Sequence, residues 1–104
     1  MQYLEIEQAI KLLKNNKKNI SFLDIRERKQ YVHGFAFGSV NCPFSKFKYL
    51  IKELVPDLNT NLILIGAKNN NQTNQIQKIL TKFRYCRSYI IKGDYKNWKK
   101  HKFP

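Results

Sequence analysis

The architecture of the chain can be read from LILIGAKNNNQTNQIQKIL, residues 62–80. Leu62, Ile63, Leu64 and Ile65 form the most apolar tetrad of the chain, and an unbroken apolar run of this length suits a strand covered on both faces. Seven polar or small residues follow: Gly66, Ala67, Lys68, Asn69, Asn70, Asn71 and Gln72. Ile76, Ile79 and Leu80 then recur at helical spacing, so the segment reads as strand, loop, helix.

The flanks repeat this alternation. Residues 20–25 are an apolar run broken by Ser21 and ended by charged residues, a second buried strand with Asp24 and Arg26 at its carboxyl end. Ile6, Ala9, Ile10 and Leu13 predict an amphipathic helix over residues 5–14, preceded by a short edge strand over residues 1–4. Gly34 and Gly38 bracket a turn, and residues 39–41 read as a short strand stopped by Pro43. Ser45 is expected to cap a helix whose apolar face is Phe47, Leu50, Ile51 and Leu54, closed by Pro56. Residues 88–91 give a last strand, and a short basic helix around Trp98 is predicted over residues 95–102. Strands alternating with helices over connections this short predict an α/β fold: a small parallel sheet with helices on both faces. At 104 residues, the chain is expected to form a single domain over 1–104.

Composition bounds the function. Twenty Lys plus Arg against seven Asp plus Glu give a net charge of +13, enough to attract nucleic acid or an acidic protein. A drift toward Lys, Asn and Ile across the chain is the rival source of that charge. Cys42 and Cys86 stand at no metal-ligand spacing, which argues against zinc and against a disulfide framework. Both are expected to be free thiols packed in buried or half-buried sites. Glu5 and Glu7 interrupt the apolar N-terminal stretch and no run approaches the length of a membrane span, so a cytoplasmic protein without membrane association is expected. No cofactor is implied. His33 and His101 have no partner at motif spacing, and His101, among lysines, is expected to be solvated.

Spelled-out residues carry a more specific likeness. Asp24, Arg26 and Glu27 with Tyr31 behind them, then Gly34, Gly38, Asn41 and Pro43, then Phe83, Gly93 and Trp98 fall in ordered spacing along the chain. This pattern resembles the rhodanese domain: its D-x-R-E motif, its G-H-I-P-G-A-x-N-x-P segment with Phe35 and Phe37 replacing His and the first Pro, and its closing G-F, G-G and W motifs. The resemblance implies a sulfurtransferase ancestry, in which a cysteine after the central strand opens a C-x-x-G-x-R loop whose amides face the sulfur. Here the resemblance puts Gly66 in the cysteine's place, Asn69 in the glycine's and Asn71 in the arginine's. Glycine cannot hold a covalent sulfur.

The expectation is therefore a rhodanese-like domain inactive in sulfur transfer and serving as a binding or regulatory module. Residues 66–72 with Lys68 could still hold an anion through loop amides, and Asn69, Asn70 and Asn71 tolerate a left-handed backbone that would keep the cradle's shape. Asp24 and Arg26 are expected to tie loops together. Two rivals stand beside this reading. One is a noncanonical thiosulfate sulfurtransferase using Cys42, although in the family's strand order that residue lies two strands from the central one, about 10 Å away. The other is a nucleic-acid or acidic-protein binder acting through Lys92, Lys96, Lys99, Lys100 and Lys102, interleaved with Tyr95, Trp98 and Phe103.

Overall fold

The computed structural model describes residues 1–15 and 19–101. Five parallel strands, β1 (Gln2–Leu4), β2 (Ile20–Asp24), β3 (Val40–Asn41), β4 (Asn61–Ile65) and β5 (Ser88–Ile91), stand in the order β1-β5-β4-β2-β3. The apolar tetrad thus becomes β4, in the middle of the sheet, in register with β2 from Asn61 opposite Ile20 to Ile65 opposite Asp24.

Side chains alternate across the sheet, and so does the core. Leu62 and Leu64 face one layer with Leu23, Ile90 and Cys42, packed under α3 (Phe47–Leu54) and α4 (Asn70–Lys82) through Phe47, Ile51, Ile76 and Leu80. Ile63 and Ile65 face the other with Phe22 and Ile91, under α1 (Ile6–Asn15) and α5 (Tyr95–Lys99) through Ile6, Ala9 and Trp98. The Trp98 and Phe22 rings meet with centroids 5.3 Å apart. This two-sided burial is why β4 could be read from four letters: a strand with no solvent face needs no polar alternation. No described helix is long and apolar enough to cross a membrane.

Several local expectations are corrected. Ser45 does not cap α3: it lies in a 3-10 turn (Phe44–Lys46), the helix starts after Lys46 without a side-chain cap, and the Ser45 hydroxyl donates to Glu27 Oε1 at 2.6 Å. Leu54 is exposed, so the buried face of α3 is Phe47 and Ile51 with Leu50 partly covered. A four-residue helix, α2 (Arg28–Tyr31), follows β2. It buries nothing, so no apolar period announced it. Helix α5 ends at Lys99, short of the expected span, and Lys102 and Phe103 lie outside the described residues.

Candidate functional site

The carboxyl ends of β2 and β4 lie side by side, and the chain leaves both there. In open parallel sheets this rim is where ligands gather, because loops diverge and helix N-termini point inward. A cleft of about 390 Å³ opens here between Arg26, Glu27 and Gln30 on one side and Gly66, Ala67, Lys68 and Gln72 on the other, with Asp94 at its edge.

Asp24 and Arg26 anchor the cleft. The Asp24 carboxylate is buried and accepts from the Arg26 backbone N–H at 2.9 Å, from Nε at 3.1 Å and from Nη2 at 2.8 Å. Nη2 also donates to the Gly34 carbonyl at 2.7 Å, and the guanidinium stacks 4.5 Å above the Tyr95 ring. One arginine therefore joins β2, the loop before β3 and α5. A buried carboxylate needs this partner: the charges are mutually satisfied in a bidentate geometry that a lysine could not make. Asn41 adds to the frame, its Nδ2 donating to the carbonyls of Asp24 and Arg26 at 3.0 and 2.8 Å.

Gly66 faces the Arg26 stem. Its φ is +99°, in the region that side chains avoid, and a Cβ built there would lie 2.7 Å from Arg26 Cγ and 3.2 Å from Asp24 Oδ1. The space into which a residue at 66 would project is filled, and the filler is pinned at its head by three groups.

The loop beyond is shorter than the sequence suggests. Asn70, Asn71 and Gln72, read as loop, form the first turn of α4, leaving only residues 66–69 irregular. Asn69 is the N-cap, accepting from the Gln72 N–H at 2.9 Å, while the Gln72 side chain accepts from the Lys68 N–H at 2.8 Å. Two amides expected to face an anion are thus consumed within the loop. The Asn tract is not left-handed either: Asn69 is extended at φ −163°, and the non-glycine residues with positive φ among those described are Asn19 and Arg84. The signal for this arrangement was present as N-x-x-Q before a periodic run, a capping pattern with Asn in place of Ser or Thr.

Neither thiol reaches the cleft. Cys42 is fully buried in the layer under α3, and burial pushes its thiol up from 9.0 to about 12. Its strand is two removed from β4, as the strand order anticipated. Cys86, expected to be packed, is instead exposed just before β5, at the opposite rim of the sheet.

Lys92 pairs with Glu5 at 3.4 Å, Lys99 lies 5.7 Å over the Tyr95 ring, and Lys96 and Lys100 are exposed. Trp98 is core, so no indole face is offered to a base. His101, expected to be solvated, is half-buried with Nε2 3.2 Å from Glu7 Oε1 and Nδ1 3.1 Å from the Asn97 carbonyl. Ninety-four residues separate His101 and Glu7, which hid the pair from any local motif. His33 is exposed.

A small α/β domain with a five-stranded parallel sheet and a cleft where β2 and β4 end is the class these features define. Comparison with known proteins narrows it: the family model for the rhodanese-like domain matches residues 5–101, so the chain belongs to the rhodanese-like family. The Alr3790 protein from Anabaena superposes with a TM-score of 0.82 at 20% identity, over 97% of this chain and 88% of that one. The human single-domain sulfurtransferase TSTD1 gives 0.72 at 18% identity, covering 99% of each chain. The Saccharomyces cerevisiae single-domain sulfurtransferase RDL2 gives 0.73 at 16% identity, over 95% and 89%. At these identities the likeness is one of fold. No curated protein matches the sequence.

Proposed function

We propose that this chain is a rhodanese-like module that does not transfer sulfur and acts by binding a partner, in a structural or regulatory role. One observation carries the reading. The position assigned to the nucleophile by family resemblance is a glycine whose missing side chain has been replaced, in space, by the stem of Arg26.

Sulfur transfer through a persulfide needs a thiolate that a donor can reach, in a cradle that stabilises negative charge. Gly66 supplies no sulfur. The burial of Cys42 and its raised pKa weigh against the rival route, since roughly one thiol in ten thousand would be ionised at pH 8. The capping of α4 by Asn69 and Gln72 supports the same view, because loop amides bonded to the loop's own side chains are withdrawn from an incoming anion. The cleft retains Lys68 and the edge of Arg26 as cations against Glu27 and Asp94, a mixed lining without one dominant charge.

The test is an assay of thiocyanate production from thiosulfate and cyanide. The expected rate is that of the uncatalysed mixture. Turnover that disappears in a Cys42→Ser variant would reject the proposal.

A further inference from the structure

We infer that the groove between α3 and α4 is a docking site for an acidic segment of a partner protein, one that seats an apolar residue between two rows of lysines. The groove measures about 390 Å³ and is lined by Phe44, Ser45, Lys48, Gln75, Lys78 and Ile79. Phe44 and Ile79 are half-buried and form an apolar floor continuous with the core. Lys48 stands on one wall and Lys78 on the other. Helical spacing extends both rows by a turn, to Lys52 on α3 and Lys82 on α4.

Charge selects the occupant. Residues 44–54 and 70–82 carry Lys46, Lys48, Lys52, Lys78 and Lys82 against Glu53, with the Glu27 carboxylate reaching the groove's edge at Ser45. The ion pairs Arg26–Asp24, Lys92–Glu5 and His101–Glu7 lie elsewhere. Lys92 near the C-terminus is thus paired with a carboxylate, whereas Lys48, Lys52, Lys78 and Lys82 are in none of these pairs, and carboxylates at matching spacing would complement them. The apolar floor adds the central contact that interfaces build around.

The same geometry disfavours the other polyanions. Single-stranded nucleic acid binds on aromatic faces open for stacking. Here the groove's aromatic lining residue, Phe44, is half-buried in the floor, and the neighbouring Phe83 ring has the Lys52 ammonium 4.4 Å above it. A membrane surface calls for protruding apolar side chains, and this floor is recessed between helices.

The inference rests on reading the chain as a binding module, yet it is separable from the reading of the cleft. Glu27 on the cleft side and Ser45 on the groove side meet through their hydrogen bond, but no residue lines both. Thiocyanate turnover would end the first proposal; only the following experiment touches the second.

The probe is a fluorescein-labelled twelve-residue peptide alternating glutamate with leucine, titrated with the whole chain at low and physiological salt and followed by anisotropy and by amide chemical shifts. Saturable binding is expected, with shifts clustered at residues 44–48 and 75–79. A Lys48→Glu, Lys78→Glu double variant should weaken it at least about fivefold, while Lys96→Glu, Lys99→Glu changes it less than about twofold. Replacing the leucines by serine should weaken it by a similar factor with the protein untouched, which guards against a variant that fails to fold. Absence of saturable binding, equal loss in the two double variants, indifference to the leucines, or tighter binding of a dT oligonucleotide or of phosphatidylserine vesicles would overturn the inference.

Discussion

Placing a cysteine at position 66 should not create a sulfurtransferase, and the structure says how much stability it would cost. A Gly66→Cys substitution asks a side chain to adopt φ +99° and to place its Cβ 2.7 Å from Arg26 Cγ. The backbone strain costs about 1–3 kcal/mol. Arg26 cannot swing aside freely, because Asp24, the Gly34 carbonyl and the Tyr95 ring hold its head, so relief means a displaced rotamer at about 1 kcal/mol. The lower entropy of the unfolded non-glycine chain returns about 0.4–1 kcal/mol. The net is a destabilisation of about 2 kcal/mol, rising to about 4 where the Arg26–Asp24 geometry is lost. For a domain of this size that lowers Tm by about 10 °C or more. Urea and thermal unfolding followed by circular dichroism measure it, with Gly66→Ala as the partner that isolates strain from thiol chemistry. Thiocyanate production by Gly66→Cys should stay at the uncatalysed rate. A cysteine variant as stable as the parent and competent in sulfur transfer would refute the argument that Arg26 has closed the site.

Other outcomes follow from the same geometry. Arg26→Met should destabilise by about 3–5 kcal/mol, read by urea unfolding, because it strands the buried Asp24 carboxylate without its counter-charge. Asn69→Ala should cost about 1 kcal/mol through the lost cap of α4. Iodoacetamide at pH 8 should label Cys86 and spare Cys42 in the native protein, with peptide mapping as the readout. The raised pKa of Cys42 also sets a pH dependence. Above pH 9 the unfolded thiol ionises while the buried one stays protonated, so this contribution to stability is intact below pH 9 and is lost toward pH 12. Stability should fall across that window more steeply in the parent than in Cys42→Ala.

What was legible in the sequence was what the sheet buries. The tetrad 62–65, the run 20–25 and the helix faces of α1 and α4 declared themselves because burial on one or two sides leaves a period in the letters. Even the two-residue β3 could be placed, since Pro43 cannot continue a strand. Where polar groups choose among competing partners, the letters were silent or misleading. Ser45 looks like a cap, but Glu27, eighteen residues earlier, takes its hydroxyl. Asn69, Asn70 and Asn71 look like loop, but one caps and two begin a helix. The rhodanese resemblance singled out Gly66 from the letters; that Arg26 fills the space beside it is a three-dimensional fact with no linear signature.

The central claim is that no thiol of this chain takes up sulfur for transfer. Intact-mass spectrometry of the native protein after incubation with thiosulfate tests it most directly. The unmodified mass is expected; an added sulfur on either Cys42 or Cys86 that cyanide then removes would overturn the claim.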